Sequence, residues 1–157
     1  MNGYPQRQQP RPVRRLLVVA NETVESPTIL DAILASTDEM SEVMVVVPAL
    51  NTRLRHWMSD HDHARIAAEQ RLIRRLDALR DAGVVAEGCI GDADPLLAMR
   101  DILIVFPADE IIIATHPERR SNWLARRLPE EARATFPQPI RHIVVETAVE
   151  DVVRVAA

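Results

Sequence analysis

The segment from Thr115 to Asn122, with the sequence THPERRSN, groups side chains that could bind a phosphate. It directly follows Glu110 to Ala114, an apolar run with the length of a buried strand. Guanidinium groups present planar sets of N–H donors that match phosphate oxygens, and hydroxyl and amide side chains add neutral donors. The segment therefore predicts an anion site built from Arg119, Arg120, Ser121 and Asn122.

The same segment has a structural interpretation that needs no ligand. Trp123 would pack the loop onto the sheet, while Ser121 or Asn122 would cap a short turn and the arginines would be solvated. His116 precedes a proline, which favours extended backbone in either case. The residue types leave both interpretations open.

Other patterns for catalysis or metal binding are weak in this sequence. His61 and His63 stand beside two aspartates, but residues two apart do not share a helix face, so this stretch predicts the start of a helix. Ser121 and His116 share a loop, yet no Ser-His-Asp spacing is readable. Cys89 is the single cysteine, and its apolar neighbours favour a buried, inert thiol. We therefore expect no catalytic residue and no metal site.

Composition excludes several familiar ligand sites. The chain has 4 glycines, and none lies in the connection directly after the first apolar run. Neither a G-x-G-x-x-G dinucleotide loop nor a P-loop is therefore present. All 19 basic residues are arginine, which excludes a phospho-receiver domain because that fold needs a lysine. The net charge of −4 argues against a nucleic-acid binder.

Apolar runs of strand length alternate with helical patterns along the chain. Ser26-Pro27 and Asp94-Pro95 each pair an N-cap residue with a proline at the first helical position. A long helix is expected to end near Ala82, before Gly83, and a short helix to begin at Pro129. The long helix carries an apolar stripe of Ile66, Leu72, Ile73, Leu76 and Leu79. The five predicted strands are Leu16–Ala20, Val43–Val47, Val84–Ile90, Glu110–Ala114 and Ile140–Val145.

This alternation predicts a doubly wound, five-stranded parallel sheet with helices on both faces, which is a Rossmann-like α/β domain. Ligands of such folds bind at the carboxyl ends of the strands, near the point where the strand order reverses. Three segments would meet there, namely Asn21–Thr23, Pro48–Asn51 and Thr115–Asn122.

The chain of 157 residues divides into three parts by composition. Residues 1–12 are rich in Gln, Pro and Arg and predict a disordered basic leader. Residues 13–146 predict the α/β domain, and residues 147–157 a C-terminal tail that could pack at a dimer interface. No apolar run approaches the ~20 residues that span a bilayer, and no signal peptide is readable. We therefore expect a cytoplasmic protein without membrane contacts.

From Arg15 to Glu146 the sequence resembles the universal stress protein family. RRLLVVANETVESPTILDAIL resembles that family's first strand, acidic loop and helix, and GCIGDADPLLAM resembles its third strand and Gly-Asp-Pro turn. ADEIIIATHPERRSNWLARRL falls where the family has its fourth strand and nucleotide loop, and PQPIRHIVV resembles its final strand. The resemblance implies an adenine-nucleotide site, for ATP or AMP, with the candidates Ala20, Asn21, Val47, Pro48, Thr115, Arg119, Arg120, Ser121 and Asn122.

The sequence departs from the ATP-binding members of that family at several positions. Asn21 stands where they have an aspartate, and their glycine motif is missing. Thr115 and Glu118 fall near its first two glycines, and Leu128-Pro129 near its final pair. Glu118 would repel a phosphate, and Pro129 offers it no amide. We therefore expect weak nucleotide binding or none, and no required cofactor.

The resemblance also implies a homodimer that forms through the last strand, since a long apolar edge strand invites pairing. We expect a non-catalytic regulatory protein of the stress-response type that binds a small anionic ligand. Two alternatives stay open: an interaction module with a vestigial pocket, and an ATP hydrolase in which Asp92 or Glu22 holds a metal. No motif identifies a protein partner. The dimer candidates are Ile140, Arg141, His142, Ile143, Val144 and Val145.

Overall fold

A computed structural model describes residues 12–50, 60–117 and 127–146. Outside these ranges lie the leader up to residue 11, Asn51 of the predicted Pro48–Asn51 segment, the candidates Arg119, Arg120, Ser121 and Asn122, and the tail from residue 147. The strands are β1 Arg14–Val19, β2 Ser41–Leu50, β3 Val85–Asp92, β4 Glu110–Thr115 and β5 Ile140–Val144. The helices are α1 Pro27–Ser36, α2 Asp60–Asp81, α3 Pro95–Val105 and α4 Leu128–Thr135, and a 3-10 turn spans Glu22–Glu25.

The five strands form one parallel sheet in the order β3-β2-β1-β4-β5. This order confirms the predicted doubly wound α/β fold. The order reverses between β1 and β4, so the carboxyl ends of these two strands flank the switch point. Within the described ranges, no helix is long and apolar enough to cross a membrane.

Helices cover both faces of the sheet. Successive side chains of a strand point to opposite faces, so an apolar strand has side chains to bury on each of them. Leu16 and Val18 of β1 belong to the core layer beneath α1 and α2, whereas Leu17 and Val19 belong to the layer beneath α3 and α4. All four side chains are 0% exposed. This burial on both sides explains why β1 reads as a continuous apolar run.

The starts of α1 and α3 follow the predicted capping chemistry, whereas α4 starts one residue early. The Ser26 hydroxyl accepts a hydrogen bond from the Thr28 amide, and the Asp94 carboxylate accepts one from the Leu96 amide. Helix α4 begins at Leu128, one residue before the predicted start at Pro129. Proline is still tolerated there because the first four amides of a helix lack partners within it.

The predicted stripe of α2 is correct in its centre and wrong at two positions. Leu72, Leu76 and Leu79 are buried, but Ile66 and Ile73 are 48% and 57% exposed. Consecutive helix positions differ by about 100°, so Leu72 and Ile73 cannot both face the sheet. Arg75, which is 5% exposed, occupies the buried face instead.

Strands β2 and β3 extend beyond their predicted carboxyl ends at Val47 and Ile90. Pairing of Pro48 with Gly91 and of Leu50 with Asp92 lengthens β2 and β3 toward their carboxyl ends. Cys89 of β3 is half-buried against the layer of α3 and α4. Cys89 is therefore less buried than the sequence predicts, although burial raises the pKa of its thiol.

Candidate functional site

The connection after β1 closes against the end of β2. The Asn21 side chain donates from Nδ2 to the Pro48 carbonyl at 3.3 Å, and its Oδ1 accepts from the Arg71 guanidinium at 3.3 Å. One asparagine thereby links β1, β2 and α2. A neutral amide suits this position because it donates and accepts at the same time.

Two further arginines of α2 hold the 3-10 turn. Arg75 donates to the carbonyls of Val24 and Ser26, and burial lowers its pKa. Arg74 forms a two-pronged ion pair with Glu25, and this hydrogen bonding lowers the pKa of the Glu25 carboxyl. Sequence reasoning missed these three arginines. Their i, i+3, i+4 spacing places them on one helix face and could have identified them.

The end of β4 is hydrogen-bonded to the 3-10 turn and to the neighbouring strand β5. The Thr23 hydroxyl donates to the Ala114 carbonyl at 3.2 Å. Thr115, 2% exposed, shares a hydrogen bond of 2.8 Å with Nε2 of His142 on β5. Nε2 of His116 lies 3.6 Å from the Glu22 carboxylate.

Two polar atoms at this edge of the sheet are buried without a hydrogen-bond partner among residues 12–50, 60–117 and 127–146. They are Nε of Arg71 and Nδ1 of His116. Asn21 and Glu22, which contact these two residues, are adjacent in sequence. We call Asn21, Glu22, Arg71 and His116 the carboxyl-edge cluster. Its guanidinium, with an N–H that has no acceptor there, is suited to binding an anion.

The other predicted nucleotide contacts have different surroundings. Ala20 and Val47 are 0% exposed and belong to the layer beneath α1 and α2. Pro48 is buried as well, and its carbonyl is bonded to Asn21. The structure thus brings together Asn21, Pro48 and the end of β4, and adds Arg71. It presents neither the Ala20 nor the Val47 side chain to a ligand.

The predicted dimer strand, β5, is an edge of the sheet. Arg141 pairs with Glu110 at 2.7 Å and also bonds Ser36. The Val145 amide donates to the Thr115 carbonyl just beyond the strand's end, and Val144 is 45% exposed. Ile140 and Ile143 pack partly against the two core layers, and His142 faces Thr115. Pairing with a second copy stays a prediction.

His142 should make stability depend on pH. Burial lowers the pKa of this imidazole, the Arg133 cation lowers it further, and Glu130 partly opposes them. The unfolded chain therefore takes up the proton first, so this contribution to stability is present above about pH 6.5 and declines as the pH falls below it.

When the pH is lowered from 7.5 to 5, we expect the free energy of unfolding to fall less for His142→Gln than for the wild type. Urea denaturation at each pH measures the free energy of unfolding of both proteins. Subtracting one pH curve from the other removes the effect of groups that titrate in both. Parallel pH curves for the two proteins would contradict a role for His142.

Comparisons with known proteins leave the family open. No protein-family model matches the sequence, and a search of curated proteins gave no match. The chain is similar to a solved structure of GalB, the 4-carboxy-2-hydroxymuconate hydratase from Pseudomonas putida KT2440, with 18% identity and a TM-score of 0.41. The match covers 78% of this chain and 56% of the hydratase, so the chain spans little more than half of that enzyme's length. A likeness this low carries no argument about activity.

Proposed function

We propose that the protein is a non-catalytic regulatory domain of the universal stress protein type, which binds a small anionic ligand weakly at the carboxyl ends of its strands. The resemblance of the sequence motifs supports the type. One structural observation supports the ligand class: the Arg71 guanidinium reaches the end of β1, and its buried Nε has no partner in the described part of the chain. Buried donors without partners are uncommon in folded proteins, and an anion would satisfy this one.

The local charges favour an anion as well. Arg71, Arg74 and Arg75 face the β1–α1 connection from α2, and the carboxylates that this connection carries are Glu22 and Glu25. Three guanidinium groups thus oppose two carboxylates, and Glu25 is already paired with Arg74. Glu22 is 73% exposed, so solvent screens its repulsion of a ligand.

Replacement of Arg71 by glutamine is expected to weaken anion binding at least tenfold. A hydrogen bond to a charged group contributes about 1.5 to 3 kcal/mol, which corresponds to roughly a 10- to 150-fold change in Kd. Calorimetric titration with inorganic tripolyphosphate measures the effect. We expect a wild-type Kd on the order of 1 mM, where the binding free energy is about −4 kcal/mol.

A matched control lies on the same helix. Arg65 is exposed and pairs with Glu69 one turn away, so Arg65→Gln removes the same charge from α2 without touching the cluster. This control should bind tripolyphosphate like the wild type. Equal affinity of Arg71→Gln and wild type, or no wild-type saturation up to about 10 mM, would contradict the proposed function.

A second candidate function is a homodimeric interaction module with a vestigial pocket. The edge position of β5 favours it, because an unpaired strand edge is a template for another chain. Sedimentation of the wild type over a range of concentrations discriminates the two. A stable dimer in a protein that binds no tripolyphosphate would favour the interaction module.

A further inference from the structure

Helix α3 has an apolar stripe on the face that points away from the sheet. Ala98 and Met99 are buried in the layer between this helix and the sheet. Ile104 and Val105 are 78% and 75% exposed, the highest values among the large apolar side chains of the described residues, and Leu97 is exposed as well. Single exposed apolar residues are normal, but several on one surface mark a contact with another molecule. The outer face of α3 is therefore a candidate interface.

Two charged residues flank this stripe. Consecutive helix positions differ by about 100°, so Leu97 and Ile104, which are seven apart, lie nearly in line along the helix. Arg100 and Asp101 stand between them along the axis, about 50° to either side of the line that joins them. Both are exposed, and neither has an ion-pair partner among the residues that the structure describes. The face thus has an apolar centre with a cation on one side and an anion on the other.

This pattern matches a second copy of itself in one orientation. If two α3 helices packed antiparallel about a two-fold axis, Arg100 would face the partner's Arg100, and Asp101 would face the partner's Asp101. If they packed parallel, each Arg100 would face the partner's Asp101, while Leu97 and Ile104 would meet their own counterparts. Charges beside the apolar seam select the orientation of coiled-coil helices in the same way. Only the parallel pair matches both the charges and the apolar side chains.

We infer that the outer face of α3 binds a second copy of this chain, with the two helices parallel about a two-fold axis. A symmetric dimer uses one surface patch twice, so each contact occurs two times. The two ion pairs lie at the rim and select the orientation, while Leu97 and Ile104 supply the apolar contact. One helix face buries less area than a stable dimer needs, so we expect a reversible dimer with a Kd on the order of 0.1 mM.

This surface is separate from the dimer strand that the sequence predicts. Helix α3 packs over β2 and β3, whereas β5 forms the opposite edge of the sheet from β3. None of the residues of the carboxyl-edge cluster belongs to α3. The inference therefore does not rest on the proposed anion site, and the two can be tested independently.

Sedimentation velocity of the full chain at roughly 10 µM to 1 mM measures the dimer and its Kd. Ile104→Glu should weaken dimerisation at least about tenfold, because symmetry places the substituted side chain in the interface twice. Ile104 is largely exposed, so the monomer should keep its fold, which urea denaturation checks. The matched control is Val144→Glu on β5, where the side chain is 45% exposed. This control should dimerise like the wild type.

Charge reversal tests the pairing itself. Arg100→Glu and Asp101→Arg should each weaken self-association about three- to tenfold, since each places like charges opposite one another. An equimolar mixture of the two variants should form a heterodimer as stable as the wild-type dimer, because both ion pairs are restored in it. Three results would each overturn the inference: a wild type that stays monomeric up to about 1 mM, a dimer that Val144→Glu abolishes and Ile104→Glu does not, or a mixture that fails to associate.

Discussion

Replacement of Arg75 by methionine is expected to lower the free energy of unfolding by about 1 to 3 kcal/mol. Arg75 is 5% exposed and donates to two carbonyls, those of Val24 and Ser26. Methionine fills a similar volume but donates nothing, so the Val24 carbonyl loses the partner that Arg75 supplies, whereas the Ser26 carbonyl keeps the amides of Ile29 and Leu30. A buried polar group without a partner costs about 1 to 3 kcal/mol. The apolar side chain offsets part of this loss.

Urea denaturation of Arg75→Met and Arg74→Met tests this expectation. Arg74 stands one position earlier on α2, is 58% exposed at its side chain, and pairs with Glu25. Solvent screens that pair, so Arg74→Met should lose much less stability than Arg75→Met. Losses of the same size would mean that Arg75 contributes no more than a surface charge, and would reject its role in holding the 3-10 turn.

Substitution of Gly88 by valine is expected to cost at least about 3 kcal/mol, at the upper end of overpacking effects. A Cβ atom at Gly88 would lie 2.7 Å from Cδ1 of Leu72 and 2.9 Å from the Val45 carbonyl oxygen. Leu72 can change its rotamer, but Val45 is part of the neighbouring strand β2 and its carbonyl is fixed by the sheet. Valine adds two methyl groups to this Cβ atom, for which there is already no room.

Gly83 provides the contrasting case. It has φ +84° and nothing within 4 Å of an added Cβ, so its constraint is backbone conformation and not space. Gly83→Ala should cost roughly 1 to 2 kcal/mol, and Gly83→Asn less, because asparagine tolerates left-handed backbone. Asparagine at Gly88 should instead be as harmful as valine. Thermal or urea unfolding of the four variants measures both effects, and a stable Gly88→Val protein would show that β3 shifts away from α2.

The order of elements was predictable because each element carries a local signal. Continuous apolar runs mark strands that are buried on both faces, as β1 and β4 are. The Ser26 and Asp94 caps, each followed by a proline, locate the first turns of α1 and α3. These signals depend on neighbours within a few residues, so they can be read along the chain.

The candidate site was only partly predictable. The sequence placed Asn21 and Pro48 correctly at the carboxyl ends of the strands, because these ends meet along one side of a parallel sheet. Arg71 was missed, since its contact with Asn21 joins residues 50 apart in sequence. The candidates Arg119, Arg120, Ser121 and Asn122 lie outside the described residues, so the phosphate interpretation of their loop stays a prediction.

By itself, the sequence determined the α/β class, the number of strands and the ends of most helices, because these depend on periodicity, capping and backbone geometry. Tertiary structure decided which side chains meet at the strand ends. The side chains of Asn21, Thr23 and Arg75 donate hydrogen bonds to carbonyls that are far away in the sequence. A residue type states what a side chain can donate or accept, whereas its partners depend on which elements the fold brings together. For that reason the contacts of Asn21 with Arg71 and Pro48 became visible only when β1, β2 and α2 were assembled.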